Sequence, residues 1–264
     1  MSGAVDIAAI QLAAVPGDVE RNLARLTALA RSQAAGATLI VAPELAASGY
    51  DLELVAGAPE LAETLAGPTV TTAVELADEL RATVVVGVLE RDGDSVYDSV
   101  AVVERHGVVA RYRKTHLYPP ETAHFAAGDE LMVARTAAGR VGLMICFEHA
   151  FPEIATALAL GGAQVLAIPS AVPRGYEHLM VLRTRARAQD NQLFAIACNL
   201  AGGEFCGRSL IAGPDGAVLA EAGEGEAVLR ATIDLGAIDR ERRGEPALAL
   251  RRPELYATEQ PARG

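Results

Sequence analysis

The sequence predicts an α+β protein in which β-sheets are covered by helices in one continuous layered domain over residues 1–264. Three observations carry that prediction. Short apolar runs alternate with segments of helical period; paired β-branched runs joined by turn residues add hairpins to them; and no Ser/Gly linker or charge run divides the chain. A length of 264 residues is long for one domain, yet layered folds often use that many around a single core.

The elements follow in order. VDIAAIQL, residues 4 to 11, is apolar and bounded by PGD, the pattern of a buried strand and a turn. From Val19 to Ala35, Leu23, Leu26, Leu29 and Ala30 fall at helical spacing, and Gly36 is placed to end the helix. ATLIVAPEL is the next strand. Gly67-Pro68 opens a helix through Leu80, and TVVVGVLE resumes as a strand too rich in β-branched residues for an exposed surface. SVYDSVAVVER and GVVARYRK, linked by Arg105-His106-Gly107, read as an antiparallel hairpin. After a long loop from Thr115 to Gly128 come a strand at 140 to 148, a helix from Pro152, the strand QVLAIPS, a helix from Glu177 to Gln192 and the strand FAIACN. The last third is expected to return to hairpins, around Pro214-Asp215-Gly216 and Glu224-Gly225, before a short helix and a polar tail.

Composition excludes several function classes. The formal net charge is -11, the wrong sign for binding a phosphate backbone, and 4% aromatics with no Trp leaves little material for base stacking, so no nucleic-acid partner is expected. Cys146, Cys198 and Cys206 are an odd number without CxxC spacing, which fits neither a disulfide framework nor a structural zinc site. A reducing cytoplasm is the expected location. The N-terminal stretch lacks a basic segment and no apolar run reaches about 20 residues, so neither export nor a membrane partner is expected.

The most informative stretch is GLMICFEHAFPE, where an apolar strand stops at Cys146 and a helix begins near Pro152. A nucleophile at such a turn projects into a cleft, and nearby backbone N–H groups can face an oxyanion. By itself a cysteine in an apolar strand is more often a small core residue; the polar Glu148 and His149 directly after it weigh against that. Glu44 closes LIVAPEL and Lys114 closes VVARYRK; alone, each fits an exposed surface charge as well. Together, three strand ends deliver a thiol, a carboxylate and an ammonium, the inventory for opening an amide by nucleophilic catalysis. A thiol with a pKa of about 8.5 needs a base and a neighbouring cation to react as thiolate.

APELAASGY, YRKTHLYPPE and GLMICFEHAFPE resemble, in order and approximate spacing, the glutamate, lysine and cysteine blocks of the nitrilase superfamily of carbon-nitrogen hydrolases. IPSAV, RARAQDNQLFAIACN, GRSLIAGPDG and RRPELY extend the likeness over nearly the whole chain. The resemblance implies a four-layer α-β-β-α sandwich of two mixed β-sheets flanked by helices. It implies that Cys146 attacks the carbonyl, that Glu44 is the base, and that the Lys114 ammonium and the Phe147 backbone N–H stabilise the oxyanion. Glu121 would be the second glutamate, holding the lysine, although in a loop of variable length a surface glutamate is the alternative. No metal or organic cofactor is implied. A homodimer or larger homo-oligomer is, with the tail at about 245–264 in its interface.

True nitrilases usually carry Trp after the cysteine, and Phe147 stands there, which favours amides over nitriles. KTHLYPPE with CFEHAFPE looks most like aliphatic amidases, so the expected partner is a small-molecule amide. Tyr50, His149, Ala171 and Val172 flank the strand ends and are expected to line the site, with Glu148 adding negative potential. An N-carbamoyl amine or amino-acid hydrolase would use the same residues. A catalytically silent interaction protein of this fold should have lost one of them.

Overall fold

In the computed structural model, which describes residues 4–256, the chain begins with β1 (Ala4–Gln11), α1 (Val19–Gln33), β2 (Leu39–Val41), α2 (Leu52–Gly57) and α3 (Pro68–Leu80). Next come β3 (Thr83–Asp92), β4 (Ser95–Glu104), β5 (Gly107–Arg113), β6 (Val133–Thr136), β7 (Gly139–Leu143), α4 (Pro152–Leu160) and β8 (Val165–Ser170). The remainder is α5 (Glu177–Asn191), β9 (Phe194–Asn199), β10 (Ala201–Gly202), β11 (Phe205–Cys206), β12 (Leu210–Ala212), β13 (Val218–Glu221), β14 (Ala227–Asp234) and α6 (Gly236–Gly244). Local chemistry explains the helix ends: Asp18 caps α1 by accepting from the Arg21 N–H, and Pro68 opens α3 where its missing N–H costs nothing.

Two six-stranded sheets result, β14-β1-β2-β3-β4-β5 and β13-β12-β9-β8-β7-β6. β1, β2 and β3 run parallel, as do β7, β8 and β9, and the outer strands of both sheets are antiparallel. The two sheets therefore share one pairing pattern, although the sequence shows no internal repeat. Strand alternation sorts the side chains into layers. Val5, Ile7, Val41 and Val85 from the first sheet pack against Val141, Leu143, Val165 and Ile196 from the second. On the outer face of the first sheet, Ile10, Ile40 and Val86 meet Leu26 and Leu29 of α1 and Leu76 of α3. Met144, Leu166 and Ile168 meet Ile154 and Leu158 of α4 on the other side. This is the expected α-β-β-α order.

Three local expectations need correction. Glu224-Gly225 is not a hairpin turn: β13 pairs with β12 in the second sheet and β14 with β1 in the first, so this segment crosses between layers. The strand expected at 140 to 148 ends at Leu143, and Cys146–Ala150 is a 3₁₀ turn. β2 covers only Leu39–Val41 of ATLIVAPEL, because the chain must leave the sheet before Glu44. Residues 257–264 of the expected interface tail lie outside the described residues, while Leu250, Leu255 and Tyr256 are exposed. Among the described residues, no helix is long and apolar enough to cross a membrane.

Candidate active site

Lys114 directly follows β5, and Glu44 and Cys146 lie three residues beyond the ends of β2 and β7. After β2, the Ala42 N–H donates to Val85 O and Pro43 O accepts from Gly87 N–H, which carries Glu44 to the edge of β3. Leu45 then takes a left-handed φ of 45° and turns the chain away. Lys114 donates its N–H to Asp98 O at 2.9 Å, and its own carbonyl accepts from Gly128 at 2.9 Å. Its side chain is thereby aimed inward. Cys146 adopts φ 42°, a backbone strain that a non-glycine residue accepts only where the surroundings impose it. Strand and turn thus present the thiol in a strained conformation comparable to that of a nucleophile elbow.

Lys114 Nζ sits among three carboxylates: Glu44 Oε1 at 2.6 Å, Glu121 Oε1 at 2.7 Å and Asp98 Oδ2 at 3.0 Å. All four side chains are buried. Burial alone would push the lysine toward the neutral amine, but the surrounding carboxylates outweigh it and hold Lys114 well above its ordinary range. Glu121 is fixed from two more directions, accepting from Tyr50 Oη at 2.7 Å and from the Tyr118 N–H at 2.7 Å. Glu44, Asp98 and Glu121 also have the spacing of a metal-ligand set, and the Lys114 ammonium stands among them as their cation.

The Cys146 thiol is pushed well up by burial and by the Glu44 charge; Lys114 and a hydrogen bond from the Ala171 backbone work in the other direction. A protonated resting thiol near the Glu44 carboxylate is the state this describes. Cys146 and Glu121 lie on the wall of a cavity of about 290 Å³. Tyr50, Phe147, His149, Ala171 and Val172, all expected at the site, line it too. Glu44 and Lys114 are fully enclosed and outside this lining. Phe147 meets Tyr118 and Phe151 edge-on, which fixes its ring against the wall.

Glu148 is elsewhere, and the expectation that it adds negative potential to the pocket is corrected. Its carboxylate is fully buried: Oε2 accepts from the Ile145 N–H at 2.7 Å, and Oε1 accepts from Tyr112 Oη at 2.6 Å, Thr115 N–H at 2.9 Å and Thr115 Oγ1 at 2.7 Å. It ties the turn that bears Cys146 to the segment that follows Lys114. Adjacency to Cys146 in sequence does not reveal which side of a 3₁₀ turn a residue faces. Asp98 is the residue that sequence reasoning missed. In SVYDSVAVV it reads as a strand residue, and the one signal in the sequence was an acid inside a β-branched strand.

Comparison with known proteins supplies the family. The family model described as carbon-nitrogen hydrolase matches residues 6–243. An (R)-stereoselective amidase of a Pseudomonas species is 35% identical over 250 residues, covering 92% of this chain and 90% of the relative. An omega-amidase of Homo sapiens is 31% identical over 269 residues, with 95% of both chains covered. Among solved structures, a variant of the Nesterenkonia sp. AN1 amidase, with acrylamide added at its active-site cysteine, superposes with a TM-score of 0.82 at 26% identity; 96% of this chain and 98% of that one are covered. With the fold, the strand-end site and a family match across most of its length in agreement, the chain belongs to the carbon-nitrogen hydrolase family, within the nitrilase superfamily.

Proposed function

We propose that this protein hydrolyses a small primary carboxamide to a carboxylate and ammonia through a thioester on Cys146. The observation that carries the reading is the Lys114 ammonium held between Glu44 and Glu121 at 2.6 and 2.7 Å, in electrostatic contact with the thiol on the cavity wall. In this mechanism Cys146 Sγ attacks the amide carbon while Glu44 takes the thiol proton. The oxyanion is stabilised by the positive charge of the Lys114 ammonium and by the Phe147 N–H, a donor of a kind typically worth about 3 to 4 kcal/mol. Glu44 returns the proton to the leaving nitrogen, ammonia departs and the thioester remains. Water, deprotonated by Glu44, then attacks the thioester, releasing the carboxylate and restoring the thiol.

Intact mass measured after brief exposure to substrate is the decisive experiment. The acyl adduct is expected on Cys146 and absent in Cys146→Ala. Cys198 and Cys206 are fully buried, and burial pushes both thiols up, the latter to about 11, so neither should be labelled. An adduct on either, or no ammonia from a panel of short primary amides, would overturn the proposal.

The cavity wall favours a small, mainly apolar acyl group, with Leu52, Val172 and Phe205 among its lining. A second reading, an acyl group that carries a negative charge, is favoured by Arg183. This half-buried residue lines the cavity, and its guanidinium makes no hydrogen bond or ion pair to another described residue. Matched neutral and anionic amides distinguish the two: only the second reading expects Arg183→Gln to raise KM selectively for the anion. Carbamoyl hydrolysis is separated by release of carbon dioxide together with ammonia. A homodimer is part of the proposal as well, supported by the exposed Leu250, Leu255 and Tyr256; light scattering at a monomer mass would remove it.

A further inference from the structure

Asp98 has no role in the mechanism above, yet it lies inside the polar cluster. It belongs to β4, is 1% exposed, and reaches Lys114 Nζ through Oδ2 at 3.0 Å. Among the described residues its other oxygen, Oδ1, has no hydrogen-bond partner, and Glu44 Oε2 has none either. If both groups were ionised, two buried acceptors would be left unsatisfied, a loss typical of neither native cores nor active sites.

Charge leads to the same conclusion. Glu44, Asp98 and Glu121 place carboxyl oxygens within 4.8 Å of one another around a single ammonium. Three anions and one cation in a buried site leave two uncompensated negative charges, so the cluster retains a proton. Glu121 is a poor holder for it, since three donors already bond its oxygens: Lys114 Nζ, Tyr50 Oη and the Tyr118 N–H. Glu44 must be anionic to serve as base. Asp98 is left, with one side-chain donor and a carboxyl within hydrogen-bonding reach of Glu44.

We propose that Asp98 is a positioning residue that holds this proton in the resting enzyme, accepting from Lys114 through Oδ2 and donating its own O–H to Glu44. One proton so placed gives the Glu44 carboxylate a second side-chain donor besides Lys114 and keeps it anionic and aimed. Burial, together with the Glu44 and Glu121 charges, pushes the Asp98 carboxyl well above the usual range, against the pull of Lys114. Glu121 is pushed up by burial as well, but its hydrogen bonds favour the anion. Lys114, Glu44 and Glu121 are the titratable groups that face Asp98.

The test compares Asp98→Ala with Asp98→Asn, whose carboxamide offers the same acceptor to Lys114 and an N–H to Glu44. In full-length protein, Asp98→Ala is expected to lose about 100-fold in kcat with little change in KM, the pattern of a lost orienting contact. Asp98→Asn should restore most of that loss. Asp98→Asn falling as far as Asp98→Ala, or Asp98→Ala matching the parent, would overturn the proposal. The proposal rests on the amidase reading for the role of Glu44, so a readout independent of turnover accompanies it. The infrared difference between the parent and Asp98→Asn at neutral pH should show the loss of a protonated-carboxyl band. Loss of a carboxylate band instead overturns the assignment, whichever substrate the enzyme takes.

Discussion

His149 follows Cys146 by three residues, is 2% exposed, and places its Nε2 3.2 Å from Thr184 Oγ1. Burial, with the Arg183 and Arg187 charges nearby, pushes its pKa down to about 3. An unfolded chain binds a proton here at about pH 6.5, whereas the folded chain refuses it until near pH 3, so stability is full above pH 6.5 and falls through that window. His149→Gln removes this dependence. Urea midpoints should show the parent losing up to about 1.4 kcal/mol per pH unit relative to the variant as the pH falls from 6.5. A parent-minus-variant difference that stays constant between pH 7.5 and 4.5 would sink the assignment. Legibility differed sharply among such residues. Glu44, Lys114 and Cys146 stood out because each closes a strand-like run in the sequence, within three residues of where the chain leaves the sheet. Asp98 sits within a strand, where alternation alone cannot say that it faces a buried ammonium from the adjoining strand.

Between elements, the geometry of the site depends on two contacts that a linear reading does not contain. Glu148 clamps the Cys146 turn to the Thr115 backbone, and its oxygens face donors only. In Glu148→Gln an amide N–H must oppose one of those donors. We expect kcat to fall about 100-fold from misplacement of the thiol relative to Lys114, and stability to drop by about 1–3 kcal/mol, checked by ammonia release and thermal unfolding. Gly87 is the second contact. A Cβ there would collide with Pro43 O and Leu45 N and lie 2.7 Å from Glu44 Cα, so β3 can pass under the Glu44 segment only as glycine. Gly87→Ala should cost about 1–3 kcal/mol by overpacking and displace the base, giving folded protein with little activity. Activity equal to the parent would show that the segment yields. Strand order escaped the sequence for a related reason: AEAGEGEAV has the turn residues of a hairpin, but the partner of β14 is β1, more than 200 residues away.

At the scale of the molecule, the groups of the candidate site are divided between the two sheets. Glu44, Asp98 and Lys114 come from the first, and Cys146 and the Ala171 backbone from the second. Their alignment therefore rests on the interface between sheets, where Ile7, Val41 and Val85 meet Leu143, Val165 and Ile196, and where Cys198 Sγ donates to Ile10 O and Val41 O at 3.2 Å each. β14 returns the chain to β1, so the first sheet draws on sequence from both sides of the contiguous stretch that builds the second. Such interleaving makes independent unfolding of either half unfavourable. Leu143→Ala, which leaves a hole in the middle of this interface, should lower stability by about 2–5 kcal/mol. In urea, the parent and this variant should each lose ammonia release and far-ultraviolet circular dichroism at one shared midpoint, the variant's lying lower. Activity vanishing well before the dichroism would mean that the sheets separate first, and that the site depends on a weaker joint than the core they share.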